Sequence, residues 1–289
     1  MPIDVKAALS AAPTVREVSW TERDVILYHL GLGAGVDSLD PAELRWVYEK
    51  DLAVLPTFAM IAGQGVSAGP VRPAGMNLPG IDIDLRKILH SGQSLTLHAP
   101  IPASGTATIS QRISDVWDKG KAAVIVLETT GSDADGQALW TQSMQIWARG
   151  EGGFGGEAGP DAVATVPERD ADKALVSPTS TQQALVYRLS GDLNPLHADP
   201  AFAKTAGFDR PILHGLASYG VVCKAVVDGI LDGDPARVRS FSVRFAGSLY
   251  PGETIETSVW RDGDTLTLLA TCPERDGQSV LTHATMEIR

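Results

Sequence analysis

Cysteine is nearly absent: Cys223 and Cys272 are the only two in 289 residues. They stand far apart, without the spacing of metal ligands or of a disulfide framework, which fits a reducing compartment. Basic residues are outnumbered, with 24 Lys and Arg against 35 Asp and Glu and a net charge of -11. Duplex nucleic acid is held by cations that neutralise its phosphates, so a nucleic-acid partner is excluded as the surface's main purpose. No apolar run is long enough to span a bilayer, which argues against a membrane partner. The first six residues, Met1 to Lys6, lack a charged segment followed by an apolar core, and the last four, Met286 to Arg289, do not form a peroxisomal address signal. A cytosolic protein is the expectation.

What is present suffices for a full core. Hydrophobic residues make up 44% of the chain and charged ones 20%, so it is expected to be globular, as one large or two modest domains. A weak internal repeat favours two. Asp24 to Leu30 echoes Gln183 to Leu189 through the shared tyrosines Tyr28 and Tyr187, and Val54 to Ala59 echoes Ile212 to Ala217. Both halves close on the same phrase, Asp135-Gly136-Gln137 and Asp276-Gly277-Gln278, each followed by an alternating apolar strand pattern. Between them a glycine-rich stretch from Gly150 to Pro160 continues into polar residues as far as Asp172, a linker composition. The predicted division is 1–150, a linker 151–172, and 173–289.

Each half reads as one helix and a set of strands. In the second, Asp199 and Pro200 open a short helix that Gly207 ends, and Gly215 to Leu231 is apolar on almost every face, the pattern of a buried helix. Asp232 to Pro235 stops it. Strands are predicted at Ser240 to Phe245, Thr254 to Trp260, Thr265 to Thr271 and Ser279 to Ile288. The first half repeats that run at Ser94 to Pro100, Gly105 to Ile113, Ala122 to Thr129 and Ala138 to Ala148. Its helix signal, Thr57 to Gly65, is shorter and interrupted by glycine. The class is α+β. The glycines at 31, 33 and 35 follow a helical pattern instead of a strand, so they read as a turn and not as a nucleotide loop.

The chemistry concentrates in Gly191-Asp192-Leu193-Asn194-Pro195-Leu196-His197, followed at short range by Leu213-His214-Gly215. A carboxylate, an amide and an imidazole on one turn supply an acid, a base and a hydrogen-bonding holder for one substrate atom, although the same residues also make good loop chemistry. Gly215, at the start of a helix, offers an unpaired N–H where the helix dipole favours negative charge. The repeat sets Asp192 against Gly33 and His197 against Ser38, so the first half cannot supply the same groups. One active site per chain is expected, with the first half as wall and pocket.

Together these motifs resemble the signature of the MaoC-like (R)-specific enoyl-CoA hydratases, and most nearly the type-2 hydratase unit of peroxisomal multifunctional beta-oxidation enzymes. Further matching phrases are Arg23 to Tyr28, Leu89 to Gln93, Asp118 to Lys121, Gly152 to Gly156, and Val243 to Ala246. The resemblance implies a double hotdog fold, two sheets joined into one with a helix in each half, and a homodimer. It implies reversible hydration of trans-2-enoyl-CoA to (3R)-3-hydroxyacyl-CoA, with Asp192, Asn194 and His197 holding the water and Gly215 polarising the thioester. Which of Asp192 and His197 is base stays open. No metal or redox cofactor is expected. By the same resemblance His90, Ser91, Lys119 and Phe245 touch the acyl-CoA, with Ser91 standing where the family carries glycine. His214 is structural or orienting. A thioesterase on the same fold, or a silent acyl-binding subunit, are the alternatives.

Overall fold

The computed structural model describes residues 3–66, 78–83, 88–160 and 164–289. Its elements in the first half are α1 (Val5–Ser10), β1 (Thr14–Trp20), α2 (Glu22–Gly31), α3 (Pro41–Leu44), β2 (Ile88–Leu97), β3 (Gly105–Asp118), β4 (Ala122–Ser132) and β5 (Ala138–Arg149). The second half has β6 (Lys173–Pro178), α4 (Gln183–Tyr187), α5 (Pro200–Thr205), α6 (Gly215–Ile230), β7 (Val238–Phe245), β8 (Thr254–Asp262), β9 (Thr265–Cys272) and β10 (Gln278–Ile288). The strands form one sheet in the order β1-β3-β4-β5-β2-β7-β10-β9-β8-β6. Read from either end, that order visits equivalent strands of the two halves, and β2 and β7 join them antiparallel from Gly92 opposite Arg244 to Thr96 opposite Ser240. The repeat seen in the sequence is thus a structural repeat, two α+β halves sharing one antiparallel sheet.

Strand formation follows from alternation. In β9 every second residue is buried, from Leu266 through Leu268 and Ala270 to Cys272, so one face meets the core. The turns fall at the predicted glycines: Gly252, Gly263 and Gly277 all have positive φ, which costs glycine nothing sterically. Gly33 and Gly35 also have positive φ and form the expected turn after α2. Pairing lengthens two predicted strands most, since β2 begins at Ile88 and β3 runs on to Asp118. The edge strands β1 and β6 escaped notice, because each is mostly exposed and shows almost no alternation.

The long helix is where the halves differ. The α6 helix runs 16 residues and buries Ala217, Tyr219, Val222, Cys223, Val226 and Val227 against the sheet, with the Tyr219 and Phe241 rings stacked 4.4 Å apart. Each large side chain so buried contributes about 1.5–3 kcal/mol. Its charged residues are paired: Lys224 Nζ lies 2.8 Å from both Glu43 Oε1 of α3 and Asp228 Oδ2. Asp232 and Gly233, both at positive φ, end it. The matching stretch of the first half makes only a 3-10 helix, Pro56–Met60. There Gly63, at φ +75°, passes so close to Val18 that a Cβ would lie 2.3 Å from it, and the chain turns away instead of continuing a helix. The shared tyrosines meet between the halves, Tyr28 and Tyr187 with ring centroids 6.0 Å apart.

Candidate active site

The motif residues lie on a loop between α4 and α5, folded back onto the start of α6. Gly191, at φ +122°, makes the turn that aims Asp192. Arg188 Nη2 donates to the Leu193 carbonyl and straps the loop to the helix before it (3.1 Å). The Asn194 side-chain oxygen accepts the Leu196 N–H at 3.0 Å and caps a 3-10 turn, Pro195–His197, which carries the histidine. With that oxygen engaged, Asn194 has its NH2, a donor, to offer a water.

His197 is buried, and its Nδ1 lies 2.8 Å from the Ile212 carbonyl. A carbonyl only accepts, so Nδ1 carries the hydrogen and Nε2 is left as an acceptor. Burial lowers the ring's pKa, which the Ile212 bond only partly offsets. His214 stacks on it with ring centroids 3.7 Å apart, and its Nε2 donates to the Asp192 backbone carbonyl at 3.2 Å. Burial, then the neighbouring His197, push His214 down to about 3, so it is neutral at pH 7. It thus orients both motif residues. Asp192, His197 and His214 offer side-chain atoms within 4.8 Å of one another, the one such group among the described residues. The set has the donor types of a metal site, and a backbone carbonyl holds one ring nitrogen of each histidine.

Gly215 opens α6, where the first N–H groups have no partner within the helix. A Cβ there would lie 3.2 Å from the Phe245 ring, so glycine keeps the approach to that N–H open. Phe245 packs edge-on against His90 at 4.6 Å. His90 feels the Asp192 charge, though burial dominates and lowers its pKa to about 4. Two of the four expected substrate-binding residues, His90 and Phe245, therefore stand beside the motif.

Ser91 and Lys119 do not. Beside a register shift between His90 and Gly92, Ser91 faces the other side of the sheet from His90, where its hydroxyl donates to the Gln145 carbonyl. Both line a groove of about 850 Å³ there, together with Arg244 and Trp117. Lys119 is held over the Trp117 ring and donates to the Pro160 carbonyl at 3.4 Å. The glycine-rich phrase after β5 positions this hairpin: the N–H groups of Gly120, Gly153 and Gly155 all bond the Asp118 carboxylate, holding its pKa below the usual range. Sequence reasoning also missed Gln64, on which Gly191 rests, and Gln93 of β2. Polar residues at inward strand positions were the available signal for the latter.

Similarity to known proteins runs along most of the chain. Residues 18–150 match the MFE-2 hydratase 2 N-terminal domain and residues 162–271 the MaoC-like domain. The enoyl-CoA hydratase ChsH3 of Mycobacterium tuberculosis is 50% identical over 281 residues, 97% of this chain and 97% of that protein. A 3-hydroxyacyl-thioester dehydratase Y from the same organism is 40% identical over 255 residues, 84% and 82% of the two chains. The crystal structure of a MaoC-like dehydratase from Phytophthora capsici superposes with a TM-score of 0.89 at 29% identity, covering 99% of this chain and 98% of that one. The chain belongs to the MaoC-like hydratase 2 family of double hotdog proteins.

Proposed function

We propose that this chain is a hydro-lyase that reversibly adds water, in the syn sense, to trans-2-enoyl-CoA, giving (3R)-3-hydroxyacyl-CoA. The observation that carries the reading is His197, a neutral imidazole with Nε2 free as an acceptor, within reach of the Asp192 carboxylate and beside the open N–H of Gly215. The thioester oxygen takes the Gly215 N–H, so charge arriving at the α carbon spreads onto oxygen as an enolate. Asn194 donates to the water and leaves its protons directed at the two acceptors, Asp192 and His197. One of them removes a proton as the oxygen adds to the β carbon. The dyad then delivers a proton to the α carbon from the same side, which makes the addition syn, while the face of the β carbon turned toward the water sets the (3R) configuration. His214 positions the pair, and no metal or redox cofactor enters.

The first half serves as wall and acyl pocket, with one site per chain; Lys119 lies in the groove on the other face of the sheet, and its contact with the nucleotide end of CoA is put to the test below. The two cysteines are both free and buried, which suits a cytosolic setting, and the family resemblance favours a homodimer. Among the described residues no helix is long and apolar enough to cross a membrane. The test is turnover of trans-2-enoyl-CoA by Asp192→Asn and His197→Ala. Each should lower kcat about a hundredfold to ten-thousandfold while the fold persists. A folded double variant with near-wild-type turnover would refute the proposal, and release of free thiol in place of hydration would identify a thioesterase.

A further inference from the structure

The core beneath the first half is divided. One apolar cluster, with Val18, Trp20, Ile109 and Trp140, continues into the second half, while a separate one gathers Ile113, Ile125, Leu127 and Ile146. A cavity of about 90 Å³ is lined in part by apolar residues, Met60, Ile109 and Met144 among them, and in part by hydrogen-bonding side chains: Gln93, Gln111, Thr129 and Gln142. These belong to four neighbouring strands, with Gln111 opposite Thr129, Thr129 opposite Gln142, and Gln93 opposite Met144, two residues along β5 from Gln142. The equivalent strands of the second half turn Phe241, Ala284, Leu268 and Val259 inward, all buried in the apolar core with α6. The polar row is thus peculiar to the half that lacks a long helix.

The cavity adjoins the reaction site. Leu216, next to Gly215, lines it, and so does Gln64, which supports Gly191. Gln93 and Thr129 are buried, Gln142 is half-buried, and Gln111 and Arg16, which also line it, are exposed. Gln93 lies beside His90, and its NH2 donates to the Ser94 carbonyl (3.1 Å) and to Gln142 Oε1 (3.3 Å). Its own oxygen Oε1 is buried with no partner. The Thr129 hydroxyl takes one bond from Gln111 at 3.0 Å.

We infer, building on the proposed hydration, that the acyl chain this pocket selects carries a hydroxyl group beyond the reacting carbons. A plain alkyl chain entering here would press methylenes on buried amides, expel about three waters' share of volume, and leave the Gln93 oxygen unsatisfied. A hydroxyl both donates and accepts, so it can donate to Gln93 Oε1 and take a bond from the Gln142 NH2, which is left free because Gln142 Oε1 accepts from Gln93. A site built to bond a substrate hydroxyl disfavours the analogue lacking it.

The experiment compares kcat/KM of the wild-type chain for unsubstituted trans-2-dodecenoyl-CoA with a series bearing one hydroxyl at each successive carbon beyond the double bond. At one position the hydroxyl should raise kcat/KM about tenfold or more. Gln142→Leu and Thr129→Val should each pull that ratio back toward one, a readout that a general loss of folding would not move. The inference is overturned if the unsubstituted chain is used as well as every hydroxylated one, or if both variants keep the wild-type ratio. Wild-type turnover of trans-2-butenoyl-CoA, too short to reach past the reacting carbons, separates the two claims: without it, hydration itself is the reading that fails.

Discussion

Replacing Gly191 by alanine tests how the loop aims its carboxylate. The residue sits at φ +122°, and an added Cβ would lie 2.7 Å from Gln64 Cβ and 2.8 Å from the Gln64 carbonyl oxygen. Backbone strain at such a φ costs about 1–3 kcal/mol. Overpacking against a backbone oxygen, which cannot swing aside, adds about 1–3 kcal/mol. If the loop stays in place, the melting temperature should fall by at least about 4 °C, at about 2–4 °C per kcal/mol for a chain of this size. If the loop instead moves to relieve the contact, Asp192 moves with it, and a displacement near 1 Å costs about a hundredfold in kcat. Gly207→Ala is the control. That glycine also has positive φ (+88°), but nothing lies within 4 Å of its Cβ position, so only a small stability loss and unchanged turnover are expected. Thermal melting and loss of enoyl-thioester absorbance read both effects, and a Gly191→Ala protein with wild-type melting and wild-type kcat would refute the reasoning.

Four further outcomes follow from the same reasoning. Because burial lowers the His197 pKa and the neutral ring is the working form, kcat/KM should hold below pH 6.5 and fall only as pH drops through the folded-state value; an acid limb centred at or above 6.5 would contradict this. Stability has the same sign: the unfolded chain binds protons at His90 and His214 below about pH 6.5, whereas the folded chain, with values of about 4 and about 3, does not, so the melting temperature should decline as pH falls from 6.5 toward 4. Lys119→Ala should raise KM for the CoA thioester with little change in kcat, and should leave a pantetheine thioester without the nucleotide unaffected; equal losses with both substrates would assign Lys119 a structural role and move attention to Lys121. A non-reactive acyl-CoA analogue should saturate at one per chain by calorimetry, since Gly33 and Ser38 stand where the second half has Asp192 and His197; two equivalent sites would contradict the one-site reading.

The parts of the fold legible in the sequence were those with local causes. Alternating burial announced β7 to β10, and a helix apolar on nearly all sides announced α6. Edge strands β1 and β6 were not legible, because a strand paired on one side and exposed to water has little need to alternate. The site divided in the same way. Asp192, Asn194 and His197 share one turn, so spacing alone brought them together. Gln64 and Gln93 reach the site from other elements; a polar residue at an inward strand position was the one local signal for Gln93, and no local pattern marks Gln64, whose contact with Gly191 is made only by tertiary packing. The pair His90-Ser91 looked like one unit, but successive residues of a strand face opposite sides of the sheet, and the register shift beside them decides which of the two meets the motif.

The most direct test of the account is hydration of trans-2-butenoyl-CoA in deuterated water, with the product resolved by chirality and by the face that carries deuterium. The account predicts the (3R) alcohol with deuterium at the α carbon on the same face as the new hydroxyl, formed by the wild-type chain and nearly lost in Asp192→Asn. A (3S) product, deuterium on the opposite face, or undiminished turnover by Asp192→Asn would contradict it.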